Sequence, residues 1–263
     1  MKAMSTGASR AMVAVLTIWL ASTASGTAQA EDLSSTCAVP DSLLEPEFPL
    51  PHVSAKIKAS EPVPIVVIGS GSSAGMGASS LANAYPERLA VELGKRFPKI
   101  KFEMTNLSRR GQPAAEMAGR FASEVESHHP ALVIWQTGTV DAVRAVDLAV
   151  FSETLESGID ELMQHEIDVI LVDMQYSPHT STALDVGPYR DYMRWSAQNR
   201  GVILFDRFTV MQYWSESGVI DFTDPAKSAE GKYDDIVHGC VAYLLASMIE
   251  RAVAPELQPP PPQ

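Results

Sequence analysis

The chain of 263 residues is 46% hydrophobic and 20% charged, proportions that are ordinary for one globular domain with a sizeable core. Its formal net charge is −12 at pH 7. Such an acidic chain repels nucleic acid phosphates, which excludes DNA and RNA as partners. After residue 30 no segment approaches the roughly 18 consecutive apolar residues of a membrane-spanning helix, so no span is expected in the mature chain.

Residues 1–30 have the organisation of a secretory signal peptide. Lys2 and Arg10 make the start positive, an apolar run follows at Ala11–Leu20, and Ala28–Ala30 places small residues at a cleavage site. The apolar run is too short for a membrane anchor. We therefore expect this segment to be removed and the mature protein to be secreted or periplasmic.

Residues 31–60 are rich in Pro, Ser and Glu and predict an extended N-terminal lead-in. This segment contains Cys37, and the only other cysteine, Cys240, lies in the predicted last helix. An oxidising compartment permits a disulfide that would tie these two regions together. The alternative is two separately buried thiols, because free cysteine behaves as a small hydrophobic residue.

Short apolar runs alternate with amphipathic segments from residue 61 to residue 253. The runs that predict strands are 65–68, 101–106, 132–135, 169–172 and 202–205, and the predicted helices are 86–97, 114–128, 151–165, 189–199 and 237–252. The alternation predicts an α/β three-layer sandwich, in which a five-stranded parallel sheet of order 2-1-3-4-5 has helices on both faces. Ligands would bind at the carboxyl ends of the strands, where Gly69, Gly111 and Gly138 fall. Residues 254–263 predict a disordered, Pro-rich tail.

The first predicted strand runs into the loop Gly69–Gly75, whose sequence is GSGSSAG. It matches the dinucleotide-binding pattern G-x-G-x-x-A, but the chain lacks both the helix that should begin inside this pattern and the acid after the second strand. A serine on such a turn is well placed for acyl transfer, and a Gly/Ser turn without chemistry is the simpler alternative. We expect no cofactor and, because no Cys/His cluster has metal-ligand spacing, no metal.

Six short motifs occur along the chain, each of them once. They are IVVIGSGSSAG at 65–75, AYPERL at 84–89, WQTGT at 135–139, DMQY at 173–176, RFTVM at 207–211 and GCVAYLLA at 239–246. Together they resemble the SGNH/GDSL hydrolases, most closely a secreted bacterial subgroup, from about Cys37 to Ala252. The resemblance implies a flavodoxin-like fold and ester hydrolysis by a serine nucleophile, glycine and asparagine oxyanion donors, and an Asp-x-x-His pair.

Several catalytic positions that the resemblance implies are altered in this chain. Gly71 stands in the nucleophile's place and is flanked by Ser70 and Ser72. A one-residue shift of the turn would present Ser72 instead. Gly111 fits the glycine donor, but Val140 replaces the asparagine and cannot donate a hydrogen bond. The alternative is that these serines only cap the turn that follows.

The base is ambiguous. Aligning the chain on Cys240 puts Lys232 in the place of the family's histidine and Ala229 in the place of its aspartate. Asp235 and His238 have the Asp-x-x-His spacing six residues later, where His238 would open the last helix. A helix N-terminus disfavours a histidine cation, which would suit a neutral base. A helix-surface histidine with an accidental spacing is the alternative.

Two functions follow from these positions. The first is a secreted esterase or deacetylase that acts through Ser72 and His238 on an acyl ester of a glycan or small molecule. The second is a catalytically inactive relative that binds a ligand or partner in the retained cleft. The sequence specifies neither the substrate nor an oligomeric state.

Overall fold

Five parallel strands form one sheet in the order β2-β1-β3-β4-β5. The strands are β1 (Val63–Ile68), β2 (Phe102–Asn106), β3 (Leu132–Gln136), β4 (Asp168–Val172) and β5 (Ile203–Phe205). Every neighbouring pair is parallel. The predicted five-stranded parallel sheet and its strand order are therefore confirmed.

The computed structural model describes Met1 and residues 33–178, 183–222 and 232–257. The described helices are α1 (Leu33–Thr36), α2 (Pro51–Lys58), α3 (Tyr85–Arg96), α4 (Ala114–Ala118), α5 (Thr139–Val143), α6 (Leu148–Gln164), α7 (Gly187–Arg200), α8 (Arg207–Glu216) and α9 (Lys232–Leu257). The predicted signal peptide, apart from Met1, and residues 258–263 of the predicted tail lie outside the described residues.

Alternate side chains of β1 face opposite sides of the sheet and divide the core into two clusters. Ile65 and Val67 pack with residues of α2, α3 and α9 on one side. Val66 and Ile68 pack with residues of α4, α6 and α7 on the other. A central strand that is buried on both faces has a continuous apolar sequence, and this is why β1 could be predicted. Helices thus cover both faces and give the predicted three layers.

Helix α9 is the core helix of one layer. Its segment Asp234–Pro255 is long and apolar enough to cross a membrane, but 72% of its most apolar window is buried inside the fold. Within α9, Cys240 forms a disulfide with Cys37, with the two Cα atoms 5.0 Å apart. The bridge predicted from the two cysteines is confirmed, and it ties the N-terminal segment to the core.

The N-terminal segment differs from the predicted extended lead-in, because it contains α1, a short 3₁₀ helix at Asp41–Leu43 and the eight-residue helix α2. Pro51 occupies the first turn of α2, where its missing N–H costs nothing. The carboxylate of Asp168, at the start of β4, accepts a hydrogen bond from the Val53 N–H at 2.9 Å. A carboxylate at a helix N-terminus satisfies free N–H groups and the helix dipole.

Gly69, Gly111 and Gly138 all lie beyond the carboxyl ends of strands, at one edge of the sheet, as predicted. Gly138 has a φ of 89°, and a Cβ atom there would come within 2.5 Å of the Met174 methyl carbon. A residue with a side chain would be strained and crowded at this point. This edge carries the loops that form the site described next.

Candidate functional site

Gln136, the last residue of β3, holds the loop after β1. Its side-chain oxygen accepts hydrogen bonds from the Ser70 N–H and from the Ser73 hydroxyl, both at 3.1 Å. The Ser73 and Tyr85 hydroxyls are also paired, at 2.6 Å, and Ser73 is fully buried. These contacts fix the backbone of the loop and keep Ser73 out of the cleft.

Ser70 contacts the second loop of the site. Its hydroxyl oxygen accepts a hydrogen bond from the Gly111 N–H at 3.1 Å. Gly111 has a φ of 77°, a conformation that favours glycine. The structure therefore brings together Ser70 and Gly111, two of the residues predicted for the site. The Gly111 N–H is nevertheless already used by a hydroxyl.

The Met76 side chain lies beside Gly71, the position that the resemblance assigns to the nucleophile. A Cβ atom built on Gly71 would overlap the methyl carbon at the end of the half-exposed Met76 side chain. The backbone of Gly71 does not have a positive φ, so the Met76 side chain, and not backbone strain, is what a residue larger than glycine would meet there.

Ser72 is held by an arginine. Asp206 caps the N-terminus of α8 by accepting the Thr209 N–H at 2.9 Å, which places Arg207 in the first turn of that helix. Arg207 Nη1 donates to Ser72 Oγ at 2.6 Å. Among the described residues no imidazole is hydrogen-bonded to Ser72, and a guanidinium cannot take its proton.

His238 has both ring nitrogens engaged by backbone. Nδ1 accepts the Tyr85 N–H at 3.1 Å, so Nε2 carries the proton and donates to the Met76 carbonyl at 3.2 Å. Burial, with a contribution from the charge of Arg207, lowers the pKa of His238 to about 4. Because α9 begins at Lys232, His238 lies in its second turn. It does not open the helix as predicted, and burial rather than the helix dipole keeps it neutral.

Asp235 does not orient His238. Its carboxylate accepts hydrogen bonds from the N–H and hydroxyl of Ser79 and from the Asn83 side chain, the last at 2.9 Å. The predicted Asp-x-x-His pair is therefore not formed in the structure. Instead, Asp235 joins the first turn of α9 to the segment that precedes α3.

Two adjoining cavities form a cleft at this edge of the sheet. The larger is about 300 Å³, the smaller about 180 Å³, and both are lined by Ser72, Met76, Gln175 and Arg207. His238 lines the larger cavity; Ser70, Gly71, Gly111 and Val140 line the smaller one. A still larger cavity of about 460 Å³ contains none of the predicted site residues. Among the residues described, no group of His, Cys, Asp or Glu is placed to hold a metal ion.

Sequence reasoning missed the residues that shape the cleft. Gln136, Gln175 and Arg207 each lie in one of the six motifs, so a signal was present without an assigned role. Met76 lies just outside the first motif and gave no signal. The side chain of Lys232, the other candidate for the base position, and the whole of Ala229 lie outside the described residues.

Comparison with known proteins agrees with the fold. One solved structure, a two-domain esterase (CEX) active on acetylated mannans, has 18% identity and a TM-score of 0.60; the match covers 84% of this chain and 58% of that one. TesA has 18% identity and a TM-score of 0.52, with 65% of this chain and 94% of TesA covered. No curated protein matches the chain.

A third solved structure is a mutant of Axe2, an acetyl-xylooligosaccharide esterase from Geobacillus Stearmophilus. It has 17% identity and a TM-score of 0.54, with 73% of this chain and 94% of that one covered. At these identities the structures show a shared fold, that of the SGNH/GDSL hydrolases. The model of the non-GDSL lipase-like family matches residues 36–255. The chain therefore belongs to the non-GDSL lipase-like family and has the SGNH/GDSL hydrolase fold that its motifs predicted.

Proposed function

We propose that this protein is a non-hydrolytic member of its family, which binds a ligand in the cleft without cleaving it. The observation that carries the proposal is the glycine at the position that the resemblance assigns to the nucleophile. Gly71 supplies no hydroxyl there, and the end of the Met76 side chain lies beside it, so a serine at this position would first have to displace that methyl group. Acyl transfer by a covalent mechanism needs an activated nucleophile at this point.

The hydrogen bonds of His238 support the proposal. A general base needs a free lone pair directed at the proton it removes. Nδ1 of His238 spends its lone pair on the Tyr85 N–H, and Nε2 donates to a carbonyl. Ser72, the shifted nucleophile predicted from sequence, receives a hydrogen bond from Arg207 instead.

The oxyanion donors support it as well. The Gly111 N–H is already bonded to the Ser70 hydroxyl. Val140 lines the smaller cavity at the asparagine's position and has no donor. Loss of one such donor typically lowers the rate about a hundred- to a thousandfold. The altered nucleophile, base and donors act together, so we expect no turnover above the uncatalysed reaction.

The ligand is proposed from the cleft and from relatives of the same fold. Two of those structures are esterases described as active on acetylated mannans or on acetyl-xylooligosaccharides. We propose a small molecule or a glycan of comparable size for the cavities of about 300 and 180 Å³. The disulfide between Cys37 and Cys240 supports export to an oxidising compartment, and with it cleavage of residues 1–30.

The alternative is a weak esterase that uses Ser72 and His238. One observation favours it, because both residues line the same cavity. Hydrolysis of nitrophenyl acetate by the purified mature chain decides between the two. We expect no rate above that of the buffer. Turnover that is lost in both Ser72→Ala and His238→Ala would overturn the non-hydrolytic proposal.

A reconstruction experiment tests the missing groups directly. The variant carries Gly71→Ser, Val140→Asn, Ala229→Asp and Lys232→His, together with Met76→Ala to make space for the new hydroxyl. We expect nitrophenyl acetate hydrolysis to appear in this variant. The matched control has the other four changes and keeps Gly71. Equal rates in the two proteins would contradict the assignment of the nucleophile's place.

A further inference from the structure

Arg207 is a buried cation at the junction of the two cavities. It lines both of them, yet only 2% of its surface is exposed. Arg207 donates to two neutral oxygens, Ser72 Oγ at 2.6 Å and Gln175 Oε1 at 3.4 Å. Its Nε atom is buried without a partner. A buried donor without a partner calls for an acceptor such as a water, an ion or a bound ligand, and Arg207 differs from the other arginines with such an Nε, Arg96 and Arg120, in lining the two cavities.

No carboxylate of the described residues forms an ion pair with Arg207. The nearby Asp173 directs one oxygen to Arg190 at 2.9 Å and the other to the Phe208 N–H at 2.9 Å. Burial lowers the pKa of Arg207, but arginine remains charged in proteins. A buried charge without a hydrogen-bonded counter-charge is unfavourable, and the charge of Asp173 offsets only part of the burial effect on Arg207. An anion that enters the cleft would offset this cost.

The charges around Arg207 indicate which anion fits. Among the described residues that line the two cavities, Arg207 is the only lysine or arginine. His238 is neutral near pH 7, since its pKa is lowered to about 4 by burial. Asp234 is an acid that lines the larger cavity, and burial raises the pKa of its carboxyl group. A single cation beside an acid suits a monoanion better than a phosphate dianion, and a planar carboxylate matches the guanidinium.

We propose that the cleft binds its ligand through a carboxylate group that pairs with the guanidinium of Arg207. This inference rests on the proposed function, because it identifies the chemical group that a non-hydrolytic cleft recognises. The Ser72 hydroxyl, whose oxygen accepts from Arg207, is left with its proton to donate. It is therefore placed to donate a second hydrogen bond to the carboxylate.

Acetate and acetamide test the charge with matched shapes. The purified mature protein is titrated with sodium acetate up to about 50 mM, a range that suits a ligand of four heavy atoms. Sodium chloride keeps the ionic strength constant, and acetamide is titrated in parallel. We expect heat of binding and a rise in the unfolding midpoint with acetate, and at least about tenfold weaker binding of acetamide. Equal responses to the two probes, or none to either, would overturn the carboxylate proposal.

Two arginine variants then locate the acetate. Arg207→Lys keeps the charge but loses the planar fork, so affinity for acetate should fall about tenfold or more. Arg251→Lys alters an exposed ion pair with Asp41 and Glu45 and should bind acetate like the unaltered protein. An unchanged affinity in a folded Arg207→Lys variant, checked by circular dichroism, would contradict the proposed site.

An uncharged acetylated xylo-oligosaccharide separates the two proposals. If it binds without turnover while acetate does not bind, the carboxylate inference fails and the proposed function stands. If the protein hydrolyses it or nitrophenyl acetate, the proposed function fails whatever acetate does.

Discussion

Arg190 and Arg207, two arginines near the carboxyl edge of the sheet, differ in whether acidic side chains pair with them. Arg190 forms ion pairs with Asp173 at 2.9 Å and with Asp206 at 2.8 Å. Its guanidinium carbon also lies 3.9 Å from the centre of the Phe208 ring. Arg207 is more deeply buried and contacts only neutral oxygens among the described residues.

The difference separates a structural cation from one that is free to meet a ligand. The acids around Arg190 fix α7, the end of β4 and the start of α8 to one another, so this network belongs to the framework of the fold. Arg207 has no acid of its own and faces the cleft. A charge that is left unmatched in the unliganded protein costs stability, which a functional site tolerates and a framework does not.

The largest effect on the unfolding free energy is expected when Arg190, the arginine with acidic partners, is removed. Arg190→Met leaves the carboxylate of Asp173, which is 1% exposed, without its cation. Breaking a buried pair in this way typically costs about 3–5 kcal/mol of unfolding free energy. Burial raises the pKa of Asp173 to about 7, although Arg190 opposes that rise, so the loss should be largest above pH 7, where Asp173 is ionised, and smaller at lower pH, where it takes up a proton. Urea unfolding at several pH values measures it.

The control for this loss is Arg194→Met, one turn further along α7. Arg194 is half exposed and pairs with Asp191 and Asp206. Exposed pairs contribute about 0–1 kcal/mol. A comparable loss in the two variants would show that Arg190 is no more structural than a surface residue.

The second effect concerns His238, which is neutral and so leaves Arg207 as the cation of the cleft. Its pKa is lowered from 6.5 to about 4 on folding, so between these values the unfolded chain binds more protons than the folded protein. Stability is therefore fully present above pH 6.5 and falls as the pH drops toward 4, by up to about 3 kcal/mol. The unfolding free energy of the unaltered protein should therefore fall more steeply between pH 6.5 and pH 4 than that of His238→Gln, which lacks the titrating group. Parallel slopes across this range would contradict a buried, neutral His238.

The third effect has the opposite sign. Arg207→Met replaces an unmatched buried charge with an apolar side chain of similar length, and we expect the protein to gain about 1–2 kcal/mol. Arg190→Met is expected to destabilise the protein. The unfolding free energies of the two methionine variants therefore compare the two arginines directly. A loss of several kcal/mol at Arg207 would mean that this arginine is also part of the framework.

The fold was predictable because its signals are local. Apolar runs such as that of β1 (Val63–Ile68) indicate burial on both faces of a sheet, and two cysteines in a chain predicted to be exported predict one bridge. The cap of α2 was not predictable, since the Val53 N–H bonds Asp168, 115 residues away.

The site was predictable only in part for the same reason. The loop with Ser70 and Ser72 was identified from its motif, and Gly111 from the position that the resemblance assigns to the glycine donor. The state of His238 depends on backbone groups of Met76 and Tyr85, more than 150 residues earlier in the chain. The spacing of an Asp-x-x-His pair carries no information about such partners.

The smallest effect tests what Asp235 does. Its carboxylate holds the Ser79 N–H and the Asn83 side chain, and it makes no hydrogen bond to His238. We expect Asp235→Ala to cost about 1 kcal/mol, the typical contribution of such partly exposed hydrogen bonds. Asn83→Ala removes one of the same bonds, so the double variant should lose less than the sum of the two single losses. If Asp235 instead oriented His238 for catalysis, Asp235→Ala would abolish any ester hydrolysis while Asn83→Ala would not. Unfolding free energies and nitrophenyl acetate rates for the three variants distinguish a tether between the first turn of α9 and the segment before α3 from a catalytic acid.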